Sequence, residues 1–177
     1  MELKQRKLNR LKNFDYSQEG YYFITINTKK FISYFGEIKN KKMILNPYGK
    51  ILEKQWLWLA KQYKYLQLDE YTIMPNHFHG ILIIDSPSIK GGGNLSVRNT
   101  RECSVQSIWG EHFIQKKIKP IPELIGAFKT TSSKLIHLAG LNEFKWHKSY
   151  YDHIIRNEIT LYNIRKYIKE NPLAWEE

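Results

Sequence analysis

The chain has 177 residues, 42% of them hydrophobic and 14% aromatic, a composition that builds one packed domain and excludes a disordered chain. Its 28 Lys and Arg against 17 Asp and Glu leave a net charge of +11, which favours a polyanionic partner such as nucleic acid. The single cysteine, Cys103, excludes an internal disulfide and a thiolate metal site, and no run approaches the ~20 apolar residues that cross a bilayer.

Taken in chain order, residues 1–14 form a basic arm that lacks the apolar segment of a secretory signal. Lys4, Arg6, Lys7 and Arg10 in it are candidate phosphate contacts, with a solvated tail as the bland alternative. The stretch YYFITIN, 21–27, is aromatic and β-branched and predicts a strand. A second strand-forming stretch spans 34–45, interrupted by the turn-like KNKK. Pro47 opens a helix in which Ile51, Leu52, Gln55, Trp56, Leu59 and Ala60 follow a helical period. Residues 67–73 and 77–84 read as two further strands, split around Pro75 and Asn76.

From 85 to 119 the periodicity dissolves into SPSIKGGGNLSVRNT and its surroundings, longer than an ordinary loop, and a flexible insertion is expected. Pro122 suits the first turn of a helix with the stripe Leu124, Phe128, Leu135, Ile136 and Ala139, stopped by Gly140. Its opposite face carries Lys129, Thr130, Ser133 and Lys134, a surface suited to phosphates, and Arg156 is a further candidate contact. A last helix over about 158–170 ends before Asn171-Pro172. Short strands interleaved with helices predict a single α+β domain over 1–177, an antiparallel sheet with helices packed on one face.

In YTIMPNHFHG the two-residue strand period puts His77 and His79 on one face and Phe78 on the other. Two imidazoles a pleat apart can converge on one cation; the competing reading is a pair of half-exposed histidines that merely alternate. Gly80 beside them leaves room for close approach of a ligand. Two histidines do not complete a site, and the last helix offers the rest. Leu161, Ile164 and Ile168 are its docking stripe, flanked by a polar row of Thr160, Asn163, Tyr167 and Asn171. Taken alone, Tyr167 also reads as an amphipathic packing residue.

LDEYTIMPNHFHGILII closely resembles the histidine–hydrophobic–histidine segment of the HUH single-tyrosine transposases. RLKNFDYSQEGYYFITINT, LIGAFKTTSSKLI and WHKSYYDHIIRNE…YIKENP are similar to the REP-associated branch, in the same order. The resemblance implies a ferredoxin-like, RNA-recognition-motif-like domain that cuts and rejoins single-stranded DNA. It places the metal-binding histidines on His77 and His79, the third ligand on Asn171 and the nucleophile on Tyr167. Relatives often carry Gln where Asn171 stands. The cofactor implied is Mg²⁺ or Mn²⁺, and the partner single-stranded or hairpin DNA.

The chemistry fits those residue types. A cation on two imidazoles and an oxygen neutralises a phosphodiester, and a tyrosine gives a covalent 5′-phosphotyrosine with a free 3′-OH. Tyr150, Tyr151 and Trp146 are candidates for stacking on unpaired bases, and Asp152 and His153 for structural hydrogen bonding. The alternative is a domesticated relative that grips hairpin DNA or RNA without turnover. A monomer or homodimer without membrane contact is expected, cytoplasmic and nucleoid-associated.

Overall fold

The computed structural model describes residues 11, 13–85 and 118–175. Lys4, Arg6, Lys7 and Arg10 and nearly all of the 85–119 insertion lie outside these residues. The elements are β1 Gly20–Asn27, β2 Gly36–Lys39, β3 Lys42–Leu45, α1 Pro47–Gln62, β4 Leu66–Ile73, β5 His77–Ile84, α2 Ile121–Leu138, β6 Tyr151–Ile155 and α3 Glu158–Glu170. Short 3₁₀ turns span Lys29–Phe31 and Asn171–Ala174. Of the described helices, none is long and apolar enough to cross a membrane.

Four strands form an antiparallel sheet in the order β4-β5-β1-β6, and β2 pairs with β3 as a separate hairpin. The expected α+β antiparallel architecture is what the chain adopts. On the first sheet face, Tyr22, Ile24 and Ile26 of β1 and Phe78, Leu82 and Ile84 of β5 are buried under α1 and α2. Trp56 of α1 packs 4.5 Å, centroid to centroid, from Phe78 and 5.4 Å from Phe128 of α2. Each such side chain removed from water contributes about 1.5–3 kcal/mol, so this face carries most of the stability. Asn46 caps α1 by accepting from the amides of Tyr48 and Gly49 at 3.0 Å each, with Pro47 in the first turn.

The expected one-face packing holds for α1 and α2, whereas α3 covers the second face. Leu161 and Ile168, with Ile164 beside them, bury against Phe23, Ile81 and Ile155. The stripe needs an apolar patch, and the odd-numbered positions of β1, β5 and β6 supply one. Asn157 starts α3 by accepting from the Thr160 amide at 2.8 Å.

Two further features of the fold depart from the sequence reading. β6 was not expected; it is a five-residue edge strand that pairs, among the described residues, only with β1. Trp146 is not a stacking surface, because it is buried and its indole donates to Ser132 Oγ at 3.1 Å. An indole N–H taken into the core needs such a partner.

Candidate active site

His77 and His79 stand on the second face of the central strand β5, ring centroids 4.7 Å apart and nearly perpendicular. His79 is buried and stacks on Phe23 at 5.4 Å; His77 is half-buried. Both rings are oriented through Nδ1. Thr25, the register partner of His79 on β1, meets His79 Nδ1 at 2.8 Å. Asn76 Oδ1 meets His77 Nδ1 at 2.7 Å. The Asn76 amide nitrogen donates to the Phe31 carbonyl at 3.1 Å, so its oxygen is the atom facing His77. His77 Nδ1 therefore carries the proton, and Nε2 keeps a lone pair.

Burial, reinforced by the neighbouring His77, pushes the His79 imidazole down to about 3. Burial also lowers His77, partly offset by a hydrogen bond with the Asn171 side chain. Both rings are thus neutral at pH 7, the state that binds a cation.

Tyr167 on α3 reaches the same place. Its hydroxyl lies 3.3 Å from His79 Nε2, and its ring meets His79 at 5.2 Å and Phe23 edge-on at 6.2 Å. Tyr167 is half exposed, so the phenol is open to a substrate. Trp175, just past the 3₁₀ turn, brings its ring to 5.9 Å from His77. The four side chains singled out in the sequence, His77, His79, Tyr167 and Asn171, therefore meet.

What holds α3 there is polar as well as apolar. β4 is irregular between Leu68 and Tyr71, and Asp69 and Glu70 fall in that bulge. Asp69 receives Arg165 Nε at 2.9 Å, and Glu70 pairs with Lys169 at 2.8 Å.

Sequence reasoning missed Thr25, Asn76, Asp69, Arg165 and Trp175. Thr25 was within reach, since the period of YYFITIN puts it on the face of Phe23. Asp69 and Arg165 are 96 positions apart, and no local pattern links them.

The candidate phosphate contacts divide. Lys134 and Arg156 are exposed. Lys129 instead donates to the carbonyl oxygens of His147 at 2.7 Å and Lys148 at 3.2 Å, and burial lowers its pKa. It ties the 147–148 backbone to α2. Lys134 lines a cleft of about 690 Å³ with Thr130, Ser133 and His137. A second cleft of about 540 Å³ is lined by Lys29, Lys145, His147 and Lys148. Neither is lined by His77, His79 or Tyr167. Tyr151, exposed on β6, pairs with Thr25 and so continues the row Thr72, His79, Thr25 across the second face.

Gly80 has a role different from the expected one. It points to the first face, where a Cβ would lie 2.6 Å from the Trp56 ring and 2.9 Å from that of Phe78. The glycine makes room for core aromatics, not for a ligand.

No protein-family model matches the chain. An uncharacterized protein of Haemophilus influenzae is 31% identical over 175 residues, covering 99% of this chain and 92% of its own length. The chain belongs to that protein's family. Among solved structures, a REP-associated tyrosine transposase bound to a REP hairpin superimposes with a TM-score of 0.55 at 15% identity, over 94% of this chain and 75% of that one. A candidate transposase from Deinococcus radiodurans matches more loosely, with a TM-score of 0.49 at 16% identity over 90% and 95% of the two chains. The first likeness gives this member of the family a transposase-like fold.

Proposed function

We propose that the protein is an HUH-type endonuclease and strand transferase. It acts on single-stranded DNA at hairpin-forming repeats, through a covalent 5′-phosphotyrosine on Tyr167. The observation that carries this reading is the approach of the Tyr167 hydroxyl to 3.3 Å from Nε2 of His79. A half-exposed phenol set against an oriented, neutral histidine pair supports a nucleophile at that place.

The residues fit a divalent cation. Among the described residues no group of three His, Cys, Asp or Glu could hold a metal. A site here would rest on the His77 and His79 imidazoles and the amide oxygen of Asn171. That mixed set suits Mg²⁺ or Mn²⁺ with open positions for phosphate oxygens. Bound there, the ion supplies charge neutralisation and polarisation of the phosphate.

The protein's own steps are few. Thr25 and Asn76 hold the imidazoles by Nδ1, the arrangement by which outer partners fix metal ligands. Tyr167 Oη forms a bond to phosphorus as the bond from phosphorus to the 3′-oxygen breaks. The phenolic proton is lost to solvent, and the departing 3′-oxygen takes one up. The phosphodiester energy is kept in the tyrosyl ester, so attack by a 3′-OH reverses the step and rejoins strands. All four side chains come from one chain, which supports a site complete in a monomer, with a homodimer as the alternative. The solved neighbour is described as bound to a hairpin, which supports hairpin DNA as the partner here. The charge of +11 fits the same partner, and a nucleoid-associated location is part of the same proposal.

Incubation with end-labelled hairpin DNA and Mn²⁺ tests the reading. A denaturation-resistant adduct carrying the fragment 3′ of the cut through its 5′-phosphate is expected, with the fragment 5′ of the cut released as a free 3′-OH end. Tight hairpin binding with no adduct would point instead to a binding protein without turnover.

A further inference from the structure

The turn after β1 is strained. Lys30 and Phe31 both adopt the left-handed region, with φ of 60° and 55°. Two successive non-glycine residues there are unfavourable, and glycine or asparagine would suit the turn better. Burial does not compensate, because the Phe31 side chain is 61% exposed.

The strain persists because the turn is pinned from several sides. The Thr28 amide donates to the Asn76 carbonyl at 2.9 Å, and Thr28 Oγ1 donates to the Ile32 carbonyl at 2.8 Å. The Tyr34 amide donates to the Pro75 carbonyl at 2.8 Å. The Asn76 side chain binds the Phe31 carbonyl and, through its oxygen, His77. Phe31 is thus two hydrogen bonds from the histidine pair. Over-determined strain that holds an apolar ring in solvent beside a reactive site has the character of a ligand clamp.

The surroundings are cationic. Lys29 and Lys30 are exposed, and neither forms an ion pair among the described residues. Lys29 also lines the 540 Å³ cleft with Lys145, His147 and Lys148, and no carboxylate lines that cleft. An exposed aromatic directly after two exposed lysines matches what a single strand presents, a flat base joined to charged phosphates. A duplex offers no such base face.

We propose that the Lys29–Phe31 turn is a nucleotide platform. Phe31 stacks on one unpaired base next to the cleaved bond, and Lys29 and Lys30 hold the flanking phosphates. This rests on the reading of the protein as acting on single-stranded DNA, and it makes Phe31 a positioning residue.

The test uses the full chain carrying Tyr167→Phe and a hairpin with single-stranded tails, 2-aminopurine replacing each tail base in turn. One tail position is expected to be quenched on binding. Phe31→Ala and Phe31→Leu abolish that quench and weaken binding about tenfold, and Phe31→Trp restores both. Their salt slope stays that of the parent, whereas Lys29→Ala and Lys30→Ala each flatten it by about 0.7. The platform is overturned if Phe31→Ala keeps the quench and binds within twofold. It is equally overturned if Phe31→Leu retains full binding, or if Phe31→Ala changes the oligomeric state and not the quench. Thermal unfolding of each variant confirms that the exposed substitution leaves the fold intact. Adduct formation is measured separately with Tyr167 present. Its absence defeats the nuclease reading while the quench still decides the platform, and failure to bind any tailed hairpin defeats both.

Discussion

Arg165 on α3 grips Asp69 in the bulge of β4 through two nitrogens, Nε at 2.9 Å and Nη2 at 2.5 Å from Oδ2. This pair fixes the helix two residues before the phenol of Tyr167. Arg165→Ala should slow adduct formation about tenfold, within the ~100-fold that a 1 Å misplacement can cause. The Arg165 side chain is 40% exposed, so the loss of stability should be about 1 kcal/mol or less. Adduct rates at saturating DNA and urea unfolding measure the two effects. An unchanged rate would mean that the apolar stripe alone positions α3.

The histidines should govern chemistry and not affinity. His77→Ala or His79→Ala should abolish Mn²⁺-dependent adduct formation while hairpin binding stays within a few-fold, because affinity comes from dispersed basic contacts. Chelation with EDTA should do the same to the unmodified protein, and excess Mn²⁺ should reverse it. Full activity in either variant would sink the cation assignment.

Tyr167→Phe should bind DNA yet form no adduct, since it removes one oxygen and keeps the ring's contacts with His79 and Phe23. Tyr162 is exposed on another side of α3, and Tyr162→Phe should leave adduct formation intact. Tyr151→Phe should also retain it, since Tyr151 lies exposed on β6 opposite Thr25 and the proposed nucleophile is Tyr167. Peptide mass spectrometry should locate the DNA on the segment containing KYIKENP. An adduct elsewhere would move the nucleophile.

Lys134 and Lys129 look alike in sequence and should behave differently. Lys134→Ala should flatten the salt dependence of binding by about 0.7–0.9 with no change in stability. Lys129→Ala should cost about 1 kcal/mol or more of stability, because two backbone carbonyls lose a charged donor. Salt titrations of binding and chemical denaturation separate the two, and the reverse pattern would contradict the geometry.

Gly80→Ala should destabilise the protein by about 1–3 kcal/mol, because the new methyl meets the buried Trp56 and Phe78 rings. Differential scanning calorimetry should show a lower Tm while metal binding at His77 and His79 persists. A neutral substitution would show that the rings can yield.

Much of the site was legible because its logic is periodic. The alternation in HFH placed both imidazoles on one face, and the helical row placed Tyr167 and Asn171 a turn apart. The face that α3 covers was not legible, because a stripe shows that a helix docks and not where. β6 escaped notice as a five-residue edge strand with a buried Asp152 in it. Gly80 was misread although the same alternation assigns it to the side of Phe78. Phe31 could not have been found, since no local pattern reveals a left-handed backbone that distant hydrogen bonds impose.

The unequal faces of the sheet have a consequence for motion. Under α1 and α2 lies an extensive aromatic core, whereas α3 is seated on the small cluster around Phe23, Ile81 and Ile155 and by two ion pairs at the far edge strand. Local opening free energies follow such buried contacts, so α3 is expected to open as a unit below the global unfolding threshold. Its amides should exchange with deuterium well before those of β1 and β5. On the proposed mechanism, the segment joined to DNA is then the one that can lift away with its strand attached, while the histidine pair stays fixed in the centre of the sheet.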